Sequence, residues 1–229
     1  MTDLIQAASS RRKFIAGLGV GGIVLTLPAC AGLPGFGLTD ALSRLLLLSS
    51  ERAFARLTAD GGFWDQQVAT VGLSNFLGAR GNVLGDILTS SLFKRRLEGA
   101  FADVAVEGAE RAAPIVADTV RTIGFRNAEA LIRGGPTAAT SFLRGEMGLS
   151  LVEAMVPELS DFMVATQDPL IGQALAALTG VNLSGAARNI STSVDDVIWG
   201  EIGKEEALIR QNPRSTNDPL IIGVFGTGL

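Results

Sequence analysis

The sequence has no histidine, no tyrosine and a single cysteine among its 229 residues. Without histidine there is no Ser-His-Asp or Cys-His machinery, no imidazole acid–base step and no histidine-ligated metal or haem. One cysteine forms no internal disulfide and no thiolate zinc or iron–sulfur site. A metal would be left with carboxylate or carbonyl oxygens, which suits calcium or magnesium alone, so neither a metal nor a cofactor is expected. Excess positive charge is also missing. Nineteen basic against 23 acidic residues give −4, and nothing in that balance favours nucleic acid.

What the chain has in quantity is apolar weight, with 47% hydrophobic residues and a mean hydropathy of +0.35. Part of that weight sits at the beginning. Residues 10–16 read Ser-Arg-Arg-Lys-Phe-Ile-Ala, which resembles a twin-arginine export signal carried by Arg11, Arg12 and Phe14. The uncharged stretch Ile15–Ala29 is about fifteen residues, short for a ~30 Å hydrocarbon span but right for a secretory signal. It closes on Leu27-Pro28-Ala29-Cys30, which resembles a lipobox. Residues 1–29 are therefore expected to be a cleaved lipoprotein signal peptide and Cys30 the lipid attachment point. Ala31 and Gly32 follow; with no aspartate after the cysteine, the periplasmic face of the outer membrane is favoured over the inner membrane. Cleavage would take three of the 19 basic and one of the 23 acidic residues, leaving a net charge of −6. Each acyl methylene buried in a bilayer contributes ~0.8 kcal/mol, so a multiply acylated cysteine tethers a domain stably. Residues 30–38 read as the lipidated leash.

Residues 39–229 read as one all-α domain. Leu42, Leu45, Leu46, Ala53, Phe54 and Leu57 recur at helical steps behind Asp40, and Gly61-Gly62 breaks that helix. Three glycines blur the period over 63–82, which reads as a loop with short helical turns. A helix is expected from Val83 to Ala112, with Pro114 in the first turn of the next one. Asn127 should cap a short helix ending at Gly134-Gly135, and Pro136 should open another. Pro157 and Pro169 should divide the middle into short pieces. Ser193 and Asp196 look like a capping box for a helix from Val194 to Arg210, stopped by Pro213. The uncharged stretch Pro169–Ala187 reads as a buried helix plus loop rather than a second membrane span. Period-two alternation is nearly absent.

Few residues on this scaffold suggest chemistry. Asp195, Asp196, Glu201, Glu205 and Glu206 are the densest acidic set, but sequence neighbours point ~100° apart on a helix and make no ready catalytic pair. Glu206 stands four before Arg210, as Glu107 does before Arg111 and Glu129 before Arg133, the spacing of surface ion pairs. Lys94-Arg95-Arg96 reads as a solvated helix face that could also meet phospholipid headgroups. Gly134-Gly135-Pro136-Thr137 precedes a helix N-terminus but lacks the lysine and spacing of a phosphate loop; helix stop, turn and restart explain it.

The second half carries a family resemblance. Ala112-Ala113-Pro114-Ile115, Asn127-Ala128 through Leu131-Ile132 to Gly134, and Thr137-Ala138-Ala139-Thr140-Ser141-Phe142-Leu143-Arg144 come first. Glu205-Glu206, Ile209-Arg210, Asn212-Pro213, Thr216 and Val224-Phe225-Gly226 follow. This order resembles the domain of unknown function 4197, over about residues 83–226. The resemblance implies an α-helical domain of the Gram-negative envelope behind a signal or lipobox, and implies no reaction. It also marks departures: an aromatic expected at Ser141, a tyrosine expected near Asn189, and Gly200 and Gly203 in a helix more regular in relatives.

The expected function is that of a lipid-anchored, periplasm-facing domain that binds rather than reacts. Its partners would be the membrane through the anchor and an envelope protein or lipid, with no nucleic acid. Arg144, Glu205, Glu206, Arg210 and Asn212 form the candidate contact surface, where the arginines would offer forked donors to a carboxylate or phosphate; internal pairing with Glu205 or Glu206 is the competing explanation. Two alternatives stay open. A carboxylate-based hydrolase or lyase needs two carboxyl groups ~5–9.5 Å apart across a cleft. A lipid carrier needs a closed apolar cavity of several hundred Å³.

Overall fold

The computed structural model describes residues 37–59, 62–73, 91–165 and 183–226, all within the compact unit Gly35–Leu229. The export-signal residues Arg11, Arg12 and Phe14, the lipidation site Cys30, Pro169 and most of the uncharged stretch 169–187 lie outside the described residues. Among the described residues every regular element is a helix, so the domain is all-α. No described helix is long and apolar enough to cross a membrane.

Helix α1 spans Leu38–Leu57 and begins where the sequence places it. Asp40 supplies the start signal, its Oδ2 accepting the Gly37 amide at 3.0 Å. Leu42, Leu45, Leu46 and Leu57 are all fully buried, each stabilising the fold by ~1.5–3 kcal/mol. Part of the expected loop is instead a nine-residue helix, α2, Phe63–Val71. Gly62 and Gly72, both at φ 81, bracket it in backbone conformations that a side chain would strain. Its core contacts are Trp64 and Val68, one turn apart. The indole Nε1 donates to Leu57 O at 2.8 Å, satisfying its buried donor and the end of α1 together.

Two prolines expected to break helices do not. Helix α3 runs Ser91–Thr122 through Pro114, and α6 runs Ser150–Ala165 through Pro157. Both prolines lie on exposed faces. Buried stripes continue past each: Ala109, Ala112, Val116 and Val120 on α3, and Leu151, Met155, Leu159 and Met163 on α6. Burial on both sides outweighs the ~3 kcal/mol local cost.

Between them lie α4, Ala128–Ile132, and α5, Ala138–Met147. Asn127 precedes α4 but does not cap it through its side chain; it sits at φ 59, in the left-handed region, which asparagine tolerates. The glycines after α4 serve as the stop, because a Cβ on Gly134 would lie 2.6 Å from that of Ala138.

Helix α7 runs Leu183–Gln211. The expected start at Val194 is wrong by three turns, and Ser193 stands inside the helix. Ile190, Val194, Ile198 and Ile202 are fully buried at four-residue steps, and this stripe carries the helix past the polar residues read as a cap. Helix α7 packs on α6, α1, α3 and α5, while α3 packs on α6, α1 and α2. Glycines set two of these approaches. A Cβ on Gly108 of α3 would meet Val194 Cγ1 at 3.3 Å, and one on Gly203 of α7 would meet Thr137 Cγ2 at 3.2 Å. A 3-10 turn, Pro213–Thr216, follows α7.

Helix α8, Pro219–Phe225, was not expected. The Asp218-Pro219 pair is its start signal: Asp218 Oδ1 accepts the Leu220 and Ile221 amides at 2.8 and 3.2 Å, and Arg44 of α1 donates to Oδ2 at 2.7 Å. Partial burial pushes the Asp218 carboxyl up, but the arginine and the two amides together hold it below the ordinary carboxylate range.

Candidate functional site

Three ion-pair centres lie along α7, and they absorb four of the five candidate contact residues. The deepest is Glu206, fully buried. Its Oε1 accepts the Ala139 amide at 3.0 Å, and its Oε2 accepts the Thr140 amide at 2.7 Å and the Thr140 hydroxyl at 2.6 Å. The carboxylate therefore occupies the N-terminus of α5, where the helix dipole and unpaired amides favour an anion. The apparent phosphate-loop position before α5 is filled by the chain's own carboxylate.

Arg210 Nε donates to Glu206 Oε1 at 2.7 Å. Its other two nitrogens donate to Ile132 O at 2.8 Å and Leu131 O at 2.9 Å, the last carbonyls of α4, where a cation is favoured. The guanidinium also lies 4.9 Å from the centre of the Phe225 ring in α8, within cation–π range. One ion pair thus fastens α4, α5, α7 and α8. Both side chains are committed to this staple.

The second centre joins α1 to α7. Arg56 Nη1 donates to Glu201 Oε2 at 2.8 Å, and its Nη2 pairs with Glu205. Lys204 also pairs with Glu201. Both glutamates are nearly buried, whereas about half of the arginine side chain is exposed. The Glu201 hydrogen bond first, and the charge of both glutamates, hold Arg56 above its ordinary pKa. In the third centre Arg144 Nη2 donates to Asp195 Oδ2 at 3.1 Å and also pairs with Asp196. Trp199 Nε1 donates to Asp195 Oδ1 at 2.8 Å. Burial pushes the Asp195 carboxyl up, against the pull of the Trp199 hydrogen bond and of Arg144.

The candidate contact residues therefore do not converge. Arg144 binds at positions 195 and 196, ~15 Å along the helix from Glu206 at 1.5 Å per residue. Asn212 is exposed, and its carbonyl accepts the Ser215 amide at 3.0 Å in the following turn. Arg56 and Trp199 were missed. Arg56 had an indirect signal: Glu201 and Glu205 are interleaved with Ile198, Ile202 and Ile209, so a buried stripe forces acids inward and demands a cation. Nothing in the sequence said which helix would supply it.

A different concave surface lies between the turn after α1 and helices α2, α3 and α6. It encloses about 360 Å³ and is lined by, among others, Phe63, Trp64, Phe162, Asp65, Asp103 and Glu107. Phe63 and Trp64 meet edge to face, ring centres 5.5 Å apart at 88°. A second pocket of about 250 Å³ adjoins the staple at Arg210 and Phe225. Among the described residues no group of three acidic or thiol side chains is placed to hold a metal ion.

These features define a class: an all-α domain whose central helix is charged and bolted to its neighbours. The chain belongs to the family described as protein of unknown function DUF4197, matched over residues 35–226. No curated protein and no solved structure matches it. The family region expected from residue 83 begins well before it and takes in α1 and α2. That extent agrees with the packing, since Arg56 of α1 completes the charge balance of α7.

Proposed function

We propose that this chain is a lipid-anchored, periplasm-facing binding domain of the bacterial envelope, exported through its twin-arginine-type signal and held at the outer membrane by Cys30. The observation that carries binding over catalysis is the state of the α7 carboxylates. Glu206 has both oxygens on the α5 amides, Thr140 and Arg210. Glu201 and Glu205 stand one turn apart on the same helix and share Arg56. A carboxylate hydrolase needs its two acids on opposite sides of a cleft; these are neighbours on one helix, both tied to Arg56. The lipid-carrier reading needs an apolar cavity, and both pockets carry charged side chains in their walls.

The anchor is supported by the order of arginine pair, apolar run and lipobox in residues 10–30. Cys30→Ala should move the protein from the membrane to the soluble periplasmic fraction, and persistent membrane attachment would refute the tether. Arg11,Arg12→Lys,Lys should block export, and normal export would rule out the twin-arginine route. Binding is tested by native mass spectrometry of the domain purified from its own envelope. A stoichiometric adduct supports the reading; a bare domain together with turnover of an envelope glycan would overturn it.

A further inference from the structure

We infer that α8, with the arginines around its start, is a docking face for the surface of an anionic phospholipid bilayer. This rests on the tether proposed above and says which side of the domain that tether brings to the membrane. Helix α8 reads Pro-Leu-Ile-Ile-Gly-Val-Phe and has no polar side chain, although a helix at a protein surface ordinarily turns a polar face to water. Within it Ile221 alone is buried; Leu220, Ile222, Val224 and Phe225 are half-buried. Gly223 faces outward, since a Cβ added there would meet nothing within 4 Å. The outer side of α8 therefore offers hydrocarbon edges and backbone, and no charge of its own.

The charges stand around its start, and they are cationic. Arg44 of α1 holds Asp218 Oδ2 and is half-exposed. Arg52 donates to Ser215 O at 3.4 Å, and Arg214 is exposed in the same turn. Neither Arg52 nor Arg214 forms an ion pair among the described residues. Asp40 and Asp218, the acids at this end, are occupied in starting α1 and α8. An apolar helix edged by arginines meets headgroup phosphates and the upper acyl chains at once. Position favours the bilayer as the occupant. Arg44 comes six residues after Leu38, ~9 Å along α1, so α8 begins beside the end of α1 from which the chain leads back to Cys30. Cys30 stands eight residues before Leu38, a reach of at most ~29 Å. A membrane that holds Cys30 thus meets α8 at high effective concentration.

The test places a fluorophore on α8 in the mature, lipidated protein reconstituted into vesicles. Cys30 is the sole cysteine, so once it is acylated Gly223→Cys supplies the only free thiol. Leu149→Cys is the control: Leu149 is 63% exposed and follows α5, which is tied to Asp195. Asp195 lies fifteen residues before the Arg210 that meets Phe225, ~22 Å along α7. In vesicles containing phosphatidylglycerol the Gly223→Cys label should shift to the blue, and its quenching by acrylamide should fall at least about twofold relative to phosphatidylcholine alone. The Leu149→Cys label should not change. Added salt should weaken the protection, and Arg52→Gln,Arg214→Gln should remove most of it with the urea midpoint unchanged. Should Gly223→Cys disturb α8, Leu220→Cys serves, each label being compared with itself in the two lipids. Equal quenching in both lipids, or protection indifferent to both arginines, would overturn the proposal. Protection that persists in detergent together with a doubled native mass would overturn it in favour of a second copy of the chain. Failure of the tether looks different: the wild-type protein would take up label at Cys30 and stay out of the vesicles. A tethered chain with an exposed Gly223→Cys label refutes the docking face alone.

Discussion

The charged face of α7 and Asp65 of the pocket beside α2 hold the same chemical group in opposite states. On α7, Glu201, Glu205 and Glu206 are buried, and each is matched to an arginine, Glu201 also to Lys204 and Glu206 also to the α5 amides and Thr140. Beside α2, Asp65 is exposed and forms no ion pair among the described residues. Desolvating a carboxylate is tolerated only where it is paired and hydrogen-bonded, so the first set reads as construction. An exposed carboxylate keeps its hydration and needs no partner from the chain. The difference teaches that density of charge in the sequence does not identify the working surface; the satisfaction of each charge does.

The largest expected effect comes from breaking the built side of this contrast. Glu206→Ala would leave two amides of α5 and a nearly buried Arg210 without their acceptor, and should cost ~3–5 kcal/mol of stability, read from urea unfolding. Arg56→Ala should cost less, ~1–3 kcal/mol, because the arginine is half-exposed and Lys204 still faces Glu201; its midpoint should fall between those of wild type and Glu206→Ala.

Asp195 sharpens the contrast through pH. Its carboxyl is held above the ordinary range by burial, so its contribution to stability is fully present below the unfolded carboxylate pKa. That contribution is lost as pH rises through the raised value. Asp195→Asn retains an acceptor for Trp199 and removes the titration. The stability difference between variant and wild type should therefore grow in the variant's favour across that window, and a pH-independent difference would count against the burial. The smallest effect belongs to the pocket. Asp65→Asn should leave the unfolding free energy within ~0.5 kcal/mol, and a loss comparable with Arg56→Ala would erase the distinction.

Much of the fold was legible. The helical period, Asp40 at the start of α1 and Pro213 beyond α7 are local signals, and the structure agrees with each. The prolines misled because their cost is local while the burial that overrides it is tertiary: Pro114 and Pro157 sit on exposed faces of helices anchored on both sides. Helix α2 escaped because its two flanking glycines mask a period carried by only Trp64 and Val68.

For the site, spacing showed that Glu206 could reach Arg210, which it does. Spacing could not show that the same pair would be driven inward by Ile202 and Ile209, or that its remaining valences would close α4 and α5. Those partners lie more than sixty residues away in sequence. The aromatic-acidic pocket was invisible for the same reason, since the turn after α1 and helices α2, α3 and α6 each supply part of it.

The claim that the charges of α7 are internal fastenings is tested most directly by a double-mutant cycle on Glu206 and Arg210. Glu206→Gln, Arg210→Met and the double variant would be compared by urea unfolding. An internal staple requires each single change to be strongly destabilising and the double variant to recover part of the loss, with a coupling of ~2 kcal/mol. Additive, small effects from two residues that tolerate substitution freely would contradict it and return both side chains to the surface as contacts for a partner.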